Sequence, residues 1–259
     1  MKVWSVLEVI KRWLVADDPT EAKEIPLTHD LNVVHKKEKE VKVVEEKPKP
    51  VEKSVNKSRY CWILDNGHGK NTPGKRSPKG PDGKTVLFEY EYDRDIVQRL
   101  AFMLKEAKIE HHILVPGLHD TLLRDRCSIA NSYKTDLPKL LVSVHGNAGG
   151  TKLKNGWYSG NGISTYHCRG SEKGNKMAGI FQKCLIERMS PYEGKPIKDR
   201  GVKDSGFYIL KHTSMPAVLT ENGFFTNKRE CYWMITNEWK HAIAEAHYKA
   251  ILAIEEMGL

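Results

Sequence analysis

Two segments far apart in this 259-residue chain each set a histidine where an apolar run ends: Ile63-Leu64-Asp65-Asn66-Gly67-His68-Gly69 and Leu140-Leu141-Val142-Ser143-Val144-His145-Gly146-Asn147-Ala148. A third, Pro216-Ala217-Val218-Leu219-Thr220-Glu221-Asn222-Gly223, follows the same grammar with a glutamate. Strand ends that bring imidazole, imidazole and carboxylate to one sheet edge form a metal-site pattern, because these are the nitrogen and oxygen donors that zinc takes. A single Gly-His-Gly is ordinarily a turn histidine; the second strand-tip histidine turns the pair toward a ligand role. Catalytic zinc usually has three protein ligands and one open position. The acids of Phe88-Glu89-Tyr90-Glu91-Tyr92-Asp93-Arg94-Asp95 stand ready just before a helical pattern. They also have an ordinary explanation as partners of the helix dipole, which is preferred for Asp95.

Those donors need a scaffold, and the apolar periodicity supplies one. Buried runs at 61–64, 112–115, 139–144, 163–166, 207–210 and 217–220 read as strands, and 3.6-residue patterns at 92–107, 122–133, 176–189 and 238–257 read as helices. Such alternation predicts an α/β fold: a twisted, largely parallel sheet flanked by helices on both faces. Active groups in such folds gather beyond the carboxyl ends of the strands, where this reading puts His68, His145 and Glu221. Most other histidines lack a strand-tip context. His167, following the 163–166 strand, is the exception and a candidate outer-shell neighbour of the site.

A net charge of +9 and 29% charged residues point to a polyanionic partner. Nothing resembles a recognition helix, a zinc finger or an RNA-binding aromatic strand, so nucleic acid is not expected. Five cysteines without C-x-x-C spacing argue against a disulfide framework and for buried thiols. No apolar run approaches the ~20 residues of a membrane span. Residues 1–15 carry apolar positions at helical spacing, interrupted by Glu8, Lys11 and Arg12, and make a poor signal peptide. They read instead as an amphipathic helix that docks on protein or on a membrane surface. The organisation is therefore a helix and tail at 1–34, a Lys/Glu/Pro-rich extended linker at 35–58, and one catalytic domain at 59–259.

Taken together, residues 63–69, Glu89 to Asp93, 120–131 with Arg126 and Asn131, 141–148, Arg200-Gly201-Val202-Lys203 and 216–227 resemble the zinc-dependent N-acetylmuramoyl-L-alanine amidases of the type 3 family, in the order that family keeps. The Tyr-rich Glu89-Tyr90-Glu91-Tyr92 looks more like its phage and prophage branch. The resemblance implies one zinc ion on His68, Glu89 and His145, with Glu221 as the catalytic carboxylate. Glu89 is chosen over Glu91 because the family sets its ligand four residues before an Asn, here replaced by Asp93; Glu91 stays as the alternative. Arg200 and Lys203, on a polar loop, and Asn147 are the substrate-binding candidates.

The implied substrate is peptidoglycan, cleaved between N-acetylmuramic acid and L-alanine by a monomer acting at the cell wall or periplasm. Without a convincing signal peptide, phage encoding or a nonstandard export route is expected. The competing readings are another zinc amidohydrolase or peptidase acting on wall peptides, and a catalytically silent wall-binding module.

Overall fold

The computed structural model describes residues 58–259. The expected helix and tail at 1–34, and all of the expected linker except Ser58, lie outside the described residues.

Six strands form one sheet: β1 (Cys61–Asn66), β2 (His111–Ile113), β3 (Lys139–Asn147), β4 (Ile163–Cys168), β5 (Asp199–Ser205) and β6 (Ala217–Phe224). Their spatial order is β2-β1-β3-β6-β4-β5. Every neighbouring pair is parallel except β4 and β6. The helices are α1 (Glu89–Glu106), α2 (Leu123–Ser132), α3 (Glu172–Met189), α4 (Tyr208–His212), α5 (Lys228–Met234) and α6 (Asn237–Met257). The mostly parallel α/β sheet expected from the alternation is the fold found.

The central strands carry apolar residues on both faces because each face has its own core. Trp62, Leu64, Leu140, Val142 and Val218 pack under the long helices α1, α3 and α6, with Ile96, Leu100, Phe181, Trp239 and Ile251 in the same cluster. On the other face Ile63, Leu141, Ala217 and Leu219 pack with Cys127 and Ala130 of α2 and Ile209 and Leu210 of α4. Helix α1 is tied to the sheet and to α6: the Tyr92 hydroxyl donates to the Asn222 carbonyl at 2.7 Å, and Trp239 Nε1 donates to that hydroxyl at 2.9 Å. The first turn of α1 is thereby fixed beside the C-terminal end of β6.

Two segments differ from the sequence reading. The 207–210 run is not a strand but leads into α4, with the Phe207 carbonyl accepting from the amides of Leu210 and Lys211. A four-residue apolar run carries no periodicity that separates helix from strand; here Ile209 and Leu210 are spent covering the second core. The strand is instead β5, the charged Asp199–Ser205, an edge strand paired only with β4. Arg200 and Lys203 therefore sit on an edge strand rather than a polar loop. The expected strand at 217–220 extends through Asn222 and Gly223 to Phe224 as β6.

Candidate metal centre

His68 follows β1 by two residues and its backbone is left-handed, with φ of 55°. Its neighbours must be glycine for reasons of space. A Cβ on Gly67 would lie 2.2 Å from His145 Cε1 and 2.6 Å from Asp93 Oδ2, and one on Gly69 would lie 2.0 Å from the Asp120 amide nitrogen. His145 comes from β3, in register with Glu221 on β6, so the two side chains leave the sheet on the same face. Glu89 is the first residue of α1, its amide donating to the Lys75 carbonyl at 3.1 Å.

The three side chains converge. Glu89 Oε1 lies 3.1 Å from His68 Nε2 and 3.2 Å from His145 Nδ1, and one donor atom from each residue falls within 4.8 Å of the others. Glu89 is 1% exposed. Burial alone would raise its pKa, but the His145 and His68 imidazoles set against Oε1 outweigh it and hold the carboxyl at about 2. Burial lowers the pKa of His68 against the opposing pull of Glu89. Lys75 Nζ stands 3.6 Å from Glu89 Oε2.

The hydrogen positions around His145 decide what can occupy this centre. Ser143 Oγ has one hydrogen and gives it to Asp65 Oδ2, a carboxylate that only accepts. The serine oxygen therefore accepts from His145 Nε2 at 3.1 Å, and in a ring carrying one proton that leaves Nδ1 as a lone pair. That lone pair faces the Glu89 carboxylate, whose Oε2 has no hydrogen-bond partner. In that tautomer two acceptors face each other 3.2 Å apart, an arrangement that a cation between them satisfies. Two imidazole nitrogens and a carboxylate oxygen are a donor set that fits a divalent metal.

Two more acids close the site. Asp93, one turn along α1, is fully buried with neither carboxylate oxygen hydrogen-bonded, and Oδ2 lies 3.9 Å from His145 Nδ1. Burial first, and then the charges of Glu89 and Glu221, push its pKa well above the usual carboxylate range. Glu221 is partly exposed as a residue, yet its Oε2 is shut from solvent without a partner. Burial and the Glu89 charge raise its pKa well above the ordinary value, opposed by Lys75.

The other sequence candidates fall as follows. Glu91 is exposed and accepts from the Tyr90 hydroxyl at 2.7 Å, so the helix turns it away from the histidines. Asn147 ends β3, with its Oδ1 accepting from the Ala148 amide at 2.7 Å. Arg200 lies over the Phe224 ring at 5.0 Å and donates to the Asn161 carbonyl. Lys203 Nζ lies 5.6 Å from the Tyr166 ring centre. It shares the sheet face of Glu221 two strands away, roughly 10 Å at the usual strand spacing. His167 is not at the site: β4 runs against β6, so its C-terminal end reaches the opposite sheet edge. Asp95, the expected dipole partner, lies within α1 and pairs with Arg99 and Lys240. Sequence reasoning passed over Asp65 and Ser143, although a carboxylate and a hydroxyl buried within strands both demand partners.

Comparison with known proteins identifies the family and the fold. The N-acetylmuramoyl-L-alanine amidase family pattern matches residues 63–253. The endolysin of Bacillus phage SPP1 is 32% identical over 202 residues, covering 76% of this chain and 66% of the relative. The N-acetylmuramoyl-L-alanine amidase LytC of Bacillus subtilis is 29% identical over 191 residues, covering 71% of this chain and 33% of the relative. The chain thus spans about two thirds of the first of these relatives and one third of the second. The crystal structure of an N-acetylmuramoyl-L-alanine amidase from Clostridium difficile 630 superposes with a TM-score of 0.65 at 26% identity, covering 78% of this chain and 100% of that one. The catalytic domain of CwlV from Paenibacillus polymyxa shares the fold, with a TM-score of 0.63 at 23% identity over 76% of this chain and 98% of that one.

Proposed function

Because the chain belongs to the N-acetylmuramoyl-L-alanine amidase family, as the match over 63–253 shows, we propose that it hydrolyses the amide joining N-acetylmuramic acid to the first L-alanine of peptidoglycan. The cell wall is then where it acts, and residues 59–259 are its catalytic unit. The observation that carries the reading is the convergence of His68 Nε2, His145 Nδ1 and Glu89 Oε1 beside Glu221 on a sheet of this family.

His68, Glu89 and His145 would hold one zinc ion. When bound, zinc would polarise the scissile carbonyl and lower the pKa of water toward about 7. Glu221 acts as the general base that takes the proton of the attacking water and as the general acid that returns one to the alanine nitrogen. Burial suits it to both tasks: a raised pKa makes the carboxylate a stronger base toward the attacking water and keeps the acid form populated, so that the proton it has taken is held for the alanine nitrogen. Lys75, 3.6 Å from Glu89 Oε2 and partly exposed, would supply a positive charge near the centre for the charge that develops on the carbonyl oxygen. Lys203 and Arg200 on β5 are placed to meet carboxylates of the stem peptide, and Asn147 borders the same sheet edge.

The test is digestion of purified peptidoglycan with and without a chelator, followed by mass spectrometry of the new ends. Stem peptides with a free amino-terminal L-alanine, absent with chelator, are expected. New reducing sugar ends, or cleavage between amino acids, would overturn the reading.

A further inference from the structure

Both histidines are tied to a buried hydrogen-bond network that reaches α2. Arg126 of α2 is 2% exposed. Its Nη1 donates to Asp65 Oδ1 at 2.6 Å and to the Asn66 carbonyl at 2.9 Å; its Nη2 donates to the His68 carbonyl at 2.9 Å and to Asp120 Oδ1 at 3.1 Å; and its Nε donates to the Thr121 carbonyl at 2.9 Å. Three of these five bonds hold the strand end and loop that carry His68, and the other two hold Asp120 and Thr121 just before α2. Asp65, fixed by Arg126 through one oxygen, receives the Ser143 hydroxyl through the other. Ser143 in turn faces His145 Nε2.

We propose that Asp65 is a positioning residue that sets the tautomer of His145. Arg126 anchors Asp65 while holding the His68 loop, so one buried arginine organises both histidines. The logic is one of proton direction. A carboxylate at Asp65 has no hydrogen to offer, so Ser143 must donate toward it and must accept from the ring, which keeps the ring proton on Nε2 and the lone pair on Nδ1 aimed at Glu89. An amide at position 65 reverses the chain. Its NH2 donates to Ser143, the hydroxyl donates to His145 Nε2, and the ring proton moves to Nδ1, where it occupies the coordination position. The same reversal explains how an Asp-to-Asn change at a catalytic histidine leaves geometry intact and chemistry disabled.

The inference rests on the metal centre proposed above, and the experiment separates the two. The metal-free wild type, Asp65→Asn and Ser143→Ala are compared at about pH 8, above the usual histidine titration, by nitrogen-15 NMR of the His145 ring. Zinc affinity is then measured by chelator competition, with thermal unfolding as the check on folding. The wild-type ring should carry its proton on Nε2, and Asp65→Asn on Nδ1, with zinc affinity about 10- to 100-fold weaker. Ser143→Ala preserves the Asp65–Arg126 pair, so it answers for the proposal if Asp65→Asn does not fold; it should show mixed tautomers and a smaller loss of affinity. Folded variants that keep the Nε2 proton and wild-type affinity would overturn the inference. A wild type that binds no zinc would overturn the metal centre instead, while the ring spectra would still decide the role of Asp65.

Discussion

Replacing Gly67 by alanine perturbs the centre at one methyl group. The added Cβ would meet His145 Cε1 at 2.2 Å, His145 Nδ1 at 2.4 Å and Asp93 Oδ2 at 2.6 Å. Restoring ordinary contact requires the imidazole and the β1–α1 loop to separate by about 1 Å, because neither the β3 backbone nor the buried Asp93 has space to yield. Overpacking of this kind costs about 1–3 kcal/mol, which in a domain of this size lowers Tm by roughly 2–10 °C. The larger effect is on metal affinity. Ligand distances tolerate about 0.2 Å, so a 1 Å displacement takes Nδ1 out of coordination with His68 and Glu89. Turnover should fall by ~100-fold or more. The assay pairs chelator-competition affinity with peptide release from peptidoglycan, and thermal unfolding confirms that the variant is folded. A folded Gly67→Ala protein with wild-type metal affinity and turnover would refute the packing argument.

Three further outcomes follow from the same geometry. Glu221→Gln should retain its metal while kcat falls about 10²- to 10⁴-fold; metal loss with that change would make Glu221 a ligand instead. Dialysis against a chelator should abolish peptide release and added zinc should restore it, and full activity in a demonstrably metal-free sample would contradict the mechanism. His247 gives a pH dependence away from the site: burial lowers its pKa from 6.5 to about 4, with Nδ1 donating to the Ile243 carbonyl and Nε2 accepting from Thr220 Oγ1. The folded pKa lies below the unfolded one, so this contribution is complete above about pH 6.5 and lost as pH falls toward 4, roughly 3 kcal/mol in all. Urea unfolding should show a shallower loss for His247→Gln across that window, and an unchanged slope would remove His247 from the account.

The histidine and glutamate positions were legible because each ends an apolar run, and a polar donor at the end of a buried strand has few places to go. Strand direction was not legible. Nothing in the 163–166 pattern tells that β4 is reversed relative to β6, and that reversal is what removes His167 from the site edge. Short runs also misled: 207–210 is as apolar as a strand but closes a helical turn, while Asp199–Ser205 is too charged to read as a strand and pairs through its backbone at the sheet edge. The Arg126–Asp65–Ser143–His145 chain joins three segments by hydrogen bonds that no local spacing encodes. Lys75 was hidden for a similar reason, since the polar stretch before α1 has no period from which its approach to Glu89 could be read.

His68, Glu89 and His145 are proposed to hold one catalytic zinc ion through specified atoms. Crystals of the zinc-loaded protein, measured on either side of the zinc absorption edge, test it most directly. The account predicts a single anomalous peak at about 2.0–2.2 Å from His68 Nε2, His145 Nδ1 and a Glu89 carboxylate oxygen, with Glu221 outside the coordination shell. A peak bound through His145 Nε2, a peak ligated by Glu221 in place of Glu89, or no peak at this centre in a fully active protein would contradict it.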